Sequence, residues 1–148
     1  MSQVVVHAEK IISASAEQVS RALADYETVR PRILPVQFSE YRVESGGHGA
    51  GTAVHWKFAA TSKRVRDQLI DVTEPAIGTL VETDRNSSMV TTWTVLPEGA
   101  GAATVKVRTT WDGAGGIGGF FERTFAPKGL GRVYVDLLHR LDAELAAG

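Results

Sequence analysis

Leu130-Gly-Arg-Val133-Tyr134-Val-Asp136-Leu137-Leu138-His-Arg140-Leu141-Asp-Ala-Glu144-Leu145 is the stretch whose reading decides the fold. Leu130, Val133, Tyr134, Leu137, Leu138, Leu141 and Leu145 recur at three- and four-residue spacing, which places them in one stripe of an α-helix. Arg132, Asp136, Arg140 and Glu144 stand four apart on the other face and alternate in sign, adding i,i+4 support. Pro127 suits the first turn of this helix. A helix that is apolar on one side only needs an apolar surface to lie on, and the sequence before it supplies one.

From Val36 to Trp111 the pattern is β. Strands are expected near 37–45, 52–59, 62–73, 79–85, 88–96 and 102–111. Between them stand a Gly cluster at Gly46–Gly51, a turn at Ala59–Thr61, Glu74–Gly78, Asn86-Ser87 and Pro97–Gly101. The connections are short, so neighbouring strands form antiparallel hairpins. Upstream, residues 3–13 carry Val4, Val5, Val6, Ile11 and Ile12 and read as a first strand. Ser15 then stands as an N-cap with Gln18 three residues on, a capping box, and Val19, Ala22, Leu23 and Tyr26 come next on one helix face. Pro31 and Pro35 confine a second helical piece to about Val29–Leu34. A shorter helix is expected within Gly115–Phe125. The order is β-α-α, then six strands and a closing helix, an α+β chain in one domain, 1–148.

Sixteen basic and seventeen acidic side chains leave a net charge of −1. That balance argues against a nucleic-acid partner, because phosphate contacts need a basic surface. The absence of Cys excludes disulfides, thiolate metal sites and cysteine nucleophiles together. The N-terminus lacks a charged segment leading into an apolar one, and no apolar run approaches the ~20 residues of a membrane span. The expectation is therefore a cytoplasmic protein with no membrane span, a monomer or homodimer.

Gly113-Ala-Gly115-Gly-Ile-Gly118 satisfies G-x-G-x-x-G, but a dinucleotide site needs a βαβ unit around it. The thirty residues after Gly118 carry a helical pattern instead of a second strand. Asp136, at a suitable offset, sits on the polar face of the closing helix. The segment is read as a connection, not a nucleotide site. His7, His48, His55 and His139 show no metal-ligand spacing, and no G-x-S-x-G elbow is present. No metal and no cofactor are expected.

What remains is a set of aromatic and charged residues on strands. Alternation puts Thr52, Val54, Trp56 and Phe58 on one face and leaves His55 and Lys57 outside. It turns Met89, Thr91, Trp93 and Val95 inward, and likewise Val105, Val107, Thr109 and Trp111. The three tryptophans can serve as core or as cavity lining. On the strand 62–73, if Ile70 and Val72 point inward, so do Arg66 and Gln68. The turn at Ala59–Thr61 would then set Arg66 opposite Trp56. The reading of Arg66 as an exposed strand charge is the favoured one, since buried charges are rare.

Three stretches carry a family resemblance: Ile12-Ser-Ala-Ser15-Ala-Glu-Gln18-Val19, Gly51-Thr-Ala-Val54-His-Trp56, and Phe121-Glu-Arg-Thr-Phe-Ala-Pro127 through Leu138-His-Arg-Leu141. With the element order, they resemble the START-like, or Bet v 1-like, superfamily (SRPBCC), closest to its polyketide cyclase/dehydrase-like branch. The resemblance implies a helix-grip fold, a curved antiparallel sheet of about seven strands wrapped around a long C-terminal helix, with a deep apolar cavity between. Such a cavity would be lined by Val54, Trp56 and Phe58, by Trp93 and Val95, by Val107 and Trp111, and by Phe121, Tyr134 and Leu138. Cyclases of the family use an interior Arg, Tyr or carboxylate to hold a carbonyl, which points to Arg66, Tyr41 and Glu82. No residue is assigned a catalytic role, and Arg66 is the one candidate. The function expected is binding of a hydrophobic small molecule: a lipid, polyketide or aromatic metabolite, reaching the cavity beside the Gly-rich segment 113–119. A cofactor-independent polyketide aromatase/cyclase or dehydrase is the alternative. A regulatory or interaction protein with a vestigial cavity is a second.

Overall fold

The computed structural model describes residues 3–61, 64–113 and 126–147. The elements are β1 (Gln3–Ile12), α1 (Ala16–Ala24), α2 (Val29–Ile33), β2 (Phe38–Ser45), β3 (Ala53–Thr61), β4 (Arg64–Ala76), β5 (Thr79–Asp84), β6 (Val90–Pro97), β7 (Ala103–Asp112) and α3 (Ala126–Ala147). The helix expected within Gly115–Phe125, the Gly-rich segment 114–119 and Phe121 lie outside the described residues.

The strands form one antiparallel sheet in the order β1-β7-β6-β5-β4-β3-β2. Hairpins lay each strand from β2 to β7 beside the last, and β1, separated from β2 by the two short helices, closes on β7. This is the expected helix-grip architecture: a curved sheet around α3, α+β in class. The stripe read from the sequence is the buried face of α3, where Leu130, Val133, Tyr134, Leu137, Leu138 and Leu141 are all buried. The inward sets on β3, β6 and β7 are buried as alternation requires, including Val54, Trp56, Phe58, Trp93, Val95, Val107 and Trp111. No helix among the described residues is long and apolar enough to cross a membrane.

Local chemistry sets the elements in place. Ser15 Oγ accepts from the Gln18 N–H at 3.1 Å and the Gln18 side chain accepts from the Ser15 N–H at 3.0 Å, the reciprocal capping box that starts α1. The far end of α1 docks on the β2–β3 loop through Tyr26 N–H to the Gly47 carbonyl and Gly49 N–H to the Ala24 carbonyl, both 2.9 Å. Gly46 makes that loop possible. Its φ is +68°, and a Cβ there would lie 2.8 Å from the Thr52 Cα, so any other residue would strain the turn.

Two expectations are corrected. Arg66 pairs with Phe58, and Gln68 is the residue opposite Trp56. Ala59–Thr61 continues the ladder instead of turning, as β-compatible residues can, so β3 runs to Thr61 and the register moves by two residues. His55, expected outside, does lie on the outer face but is buried. A register shift in β2 places the Glu40 carbonyl 3.0 Å from His55 Nδ1, while Asp67 Oδ1 sits 2.6 Å from Nε2, and both cover the ring.

Leu141, with no exposed surface, holds α3 to the sheet. Leu141→Ala is expected to cost about 2–5 kcal/mol, as large-to-small core changes do, read as a shift of the denaturant midpoint with the slope unchanged.

Candidate functional site

The interior is apolar except where Arg30 enters it. Arg30 is carried into the core by α2, a single-turn helix confined by Pro31 and Pro35, and it is 1% exposed. Its Nε donates to the Leu23 carbonyl at 2.9 Å, satisfying a C-terminal carbonyl of α1 that has no partner within the helix. Its Nη1 lies 2.9 Å from Glu82 Oε2, and its guanidinium carbon sits 4.5 Å from the Tyr26 ring centroid and 5.0 Å from that of Trp93. Glu82 reaches this point from β5, where alternation points it inward beside Leu80 and Asp84, and it is 3% exposed. The Tyr26 hydroxyl donates to Glu82 Oε2 at 2.5 Å and the Trp93 indole N–H to Oε1 at 2.9 Å, so three donors converge on one buried carboxylate. Tyr41, half-buried on β2, completes the shell: its hydroxyl donates to the Tyr26 carbonyl, and its ring stacks on Trp56.

The electrostatics arise from burial. Loss of water works against the Arg30 cation, but the Glu82 charge overcomes it and holds the guanidinium above its ordinary pKa. Burial pushes the Tyr26 phenol well above its ordinary range; Arg30 opposes this and Glu82 reinforces it. Tyr41 is raised mainly by burial. Tyr134, on α3, is pushed up to about 12 by burial, against the lowering effect of its hydrogen bonds with the Thr109 and Thr91 hydroxyls. A second polar chain runs beside the first. The Trp56 indole donates to Gln68 Oε1 at 2.8 Å, and Gln68 Nε2 donates to Asp84 Oδ2 at 3.3 Å and lies 3.2 Å from Met89 Sδ. Asp84 also accepts from the Leu69 and Asn86 N–H groups and the Ser87 hydroxyl, so its charge is absorbed by the β5–β6 turn.

Between these chains and α3 lies a cavity of about 30 Å³. It is lined by Arg30, Glu82 and Trp93 at one end, by Phe38, Trp56, Phe58, Gln68, Ile70 and Met89 along the sheet, and by Thr91, with Leu130, Tyr134 and Leu137 opposite and Leu34 at the side. That volume holds one or two waters. The space that the fold encloses is thus largely occupied by its own aromatic side chains: Phe38 packs edge-on against Trp56 and tilted against Phe58, with centroids 5.6 and 5.0 Å apart.

Of the residues singled out from the sequence, Trp56, Phe58, Glu82, Trp93 and Tyr134 meet around this cavity. Tyr41 stands behind Trp56. Val54, Val107, Trp111 and Leu138 are buried in the surrounding core. Val95 lines a separate cleft, of about 320 Å³, between α1 and the β4–β5 turn. Arg66 is on the concave side of β4 but only partly buried, toward the hairpin end. Arg30 is the residue that sequence reasoning missed. It stands four after Tyr26 and three before Ile33, a charge at an apolar position of the helical pattern, and that misfit was the available signal. Among the described residues no cluster of His, Asp and Glu could hold a metal ion.

The family model for polyketide cyclase/dehydrase and lipid transport proteins matches residues 3–146. Among solved structures, the KanY protein, determined by NMR in solution, is 46% identical, with a TM-score of 0.89 and 99% of each chain covered. A START superfamily protein from Mycobacterium smegmatis is 13% identical, with a TM-score of 0.75 and 97% of each chain covered. An aromatase/cyclase, Zhui, from a Streptomyces species is 14% identical with a TM-score of 0.74, covering 97% of this chain and 93% of its own. The last two likenesses concern the fold alone. No curated protein matches the sequence significantly.

Two expectations rest on this geometry. Glu82→Gln leaves the Arg30 cation buried without its counter-charge and should cost about 3–5 kcal/mol in a denaturant titration; the double variant Arg30→Met, Glu82→Leu should recover most of that loss. All three tyrosines, Tyr26, Tyr41 and Tyr134, have raised pKa values. A phenol held more tightly when folded adds stability that is complete below the unfolded pKa of about 10 and is lost as pH climbs through the folded value. Absorbance at 295 nm should therefore show no tyrosinate step near pH 10 in the folded protein, and one for all three phenols in denaturant.

Proposed function

The chain belongs to the polyketide cyclase/dehydrase and lipid transport family, and from that premise we propose that it binds a hydrophobic small molecule, a lipid, polyketide or aromatic metabolite, in the space between sheet and α3. The observation that carries this reading is how charge is disposed around the cavity. The lining is mostly apolar, with Gln68, Thr91 and Tyr134 as its neutral polar members, while the two ionic groups at its end, Arg30 and Glu82, are spent on each other. A pocket built this way offers a ligand apolar area and ring faces but no uncommitted charge with which to polarise a carbonyl. The reading needs no cofactor and fits a cytoplasmic protein.

With a free volume of about 30 Å³, binding requires side chains to move. The first two turns of α3 are suited to that. Gly129 and Gly131 stand where a Cβ would meet nothing within 4 Å, so packing does not demand glycine there. Each costs the helix about 1 kcal/mol relative to Ala, and between them sits Leu130, which lines the cavity. Opening of this turn would withdraw Leu130 and admit the ligand.

The alternative reading, a cofactor-independent cyclase or dehydrase, draws on the Tyr134 hydroxyl. It lines the cavity and keeps its proton up to a pKa of about 12, as a donor to a substrate carbonyl must. Arg66, on the same concave side, would be its charged partner. The smallness of the cavity favours the second alternative, an interaction protein whose cavity is vestigial.

Native mass spectrometry of freshly purified protein, with titration of an apolar fluorescent dye, separates these. The binding reading expects a co-purifying apolar compound or a dye that quenches Trp56 and Trp93, and at least tenfold weaker dye binding in Leu130→Trp. Replacing both Gly129 and Gly131 by Ala should slow dye association about tenfold or more, as ~2 kcal/mol of added helix stability implies. Neither compound nor dye binding would leave the interaction reading. Product formation from a polyketide substrate that falls about 100-fold or more in Arg66→Met or Tyr134→Phe, with dye affinity kept, would establish the enzyme.

A further inference from the structure

The sheet has two edges, and they are finished differently. β2 is guarded: its register along β3 shifts between Ser39 and Arg42 and again between Val43 and Ser45, Glu40 has a φ of +50°, and Arg42 and Glu44 form an ion pair on the strand. Bulges and charges of this kind stop a free edge from pairing with another chain. Among the described residues no strand pairs with the other side of β1, and, although it carries Glu9 and Lys10, it has no bulge. Its ten residues pair with β7 in unbroken register from Gln3↔Asp112 to Ile12↔Ala103, without a bulge or a proline. Val5, His7, Glu9 and Ile11 form its outward face and are all exposed, Ile11 at 61%. Along its free side runs an open groove of about 500 Å³, bounded by His7, Ala8 and Glu9 on one side and by Gly131, Arg132 and Val135 of α3 on the other. Val135 is itself 47% exposed.

We propose that β1 pairs antiparallel with β1 of a second copy about a two-fold axis at Ala8, joining two sheets into one. The choice of a second copy rests on self-complementarity. An edge strand offers its backbone hydrogen bonds at every second residue, so a symmetric pair keeps its ladder only when the axis passes through a residue. With the axis at Ala8, Val5 faces Ile11 of the other copy and His7 faces Glu9, twice over, giving two apolar and two polar–acidic cross-strand pairs. With the axis at His7, Val5 would face Glu9. With it at Glu9, two carboxylates would meet. On the concave side, Val4 comes opposite Ile12, and Val6 opposite Lys10, whose stem covers it while the ammonium reaches solvent. The strand of the second copy occupies the groove and covers Val135.

Sedimentation of the full chain from micromolar to near-millimolar concentration tests this, with circular dichroism to show that each variant is folded. The wild type should reach a dimer. Val5→Asp and Ile11→Lys, both at exposed positions, should each raise the dimer dissociation constant at least tenfold. Combined in one chain they should restore dimerisation, because Asp at 5 then faces Lys at 11 of the other copy. A wild type that stays monomeric throughout overturns the proposal. So does a dimer untouched by the single variants, or a double variant no better than either of them.

Discussion

A guanidinium without access to water sets the terms for the interior. Arg30 cannot give up its proton, and it cannot stay buried without a counter-charge, so its position obliges β5 to supply Glu82 and obliges Glu82 to be matched. One side chain thereby ties together the end of α1, through the Leu23 carbonyl, the single turn of α2, and the middle of the sheet. The helices that connect β1 to β2 bury Val19, Ala22, Leu23 and Ile33 in the core. Their place over the sheet is fixed further by this cluster, by the Arg32–Glu144 bridge at 3.0 Å to α3, and by the loop that receives Tyr26 and Gly49.

The same cluster explains how a cavity can be polar-ended without an unpaired charge at that end. Buried polar groups are costly unless each finds a partner, and here the partners are mutual: Tyr26 and Trp93 donate to the carboxylate that balances Arg30, and Trp56 donates to Gln68, which leans on Asp84. Such a network is rigid because loss of any member strands the others. The opposite wall is of another kind. Leu130 and Tyr134 belong to a helix whose first two turns carry Gly129 and Gly131, residues of low helix propensity, on either side of Leu130.

The sheet shows a parallel division of labour. β2, which carries Tyr41 and borders the aromatic cluster of Phe38, Trp56 and Phe58, is irregular, and its bulge is what brings Glu40 over His55 and Lys57. β1, remote from the polar cluster, is regular along its whole length. Irregularity is concentrated where the backbone must aim side chains; regularity remains where the backbone itself is the surface on offer.

Most of the architecture was legible from periodicity. The leucine stripe of α3, the Ser15–Gln18 box and the two-residue alternation on β3, β6 and β7 are local patterns, and local patterns survive translation into three dimensions because they are enforced by burial of one face. The family motifs at 12–19 and 51–56 carried the topology. The tryptophans were identifiable as inward for the same reason, whereas Glu82 was a candidate only through the family resemblance. Three things were not legible. The β3–β4 register depends on where a hairpin turns, and Ala59–Thr61 is compatible with turn and strand alike, so pairing decided that Gln68 and not Arg66 meets Trp56. His55 lies on a face that alternation calls exposed, and only the shift in β2 buries it. Arg30 and Glu82 are separated by fifty-one intervening residues and share no local pattern; a charge on a short helix reads as solvated until the fold removes the water and leaves one carboxylate within reach. Sequence by itself determined which face is buried on α1, α3, β3, β6 and β7, because that is a property of neighbours along the chain. Which buried charges neutralise each other, and how much space is left between them, was decided only by tertiary structure, because both depend on groups that the chain brings together from a distance.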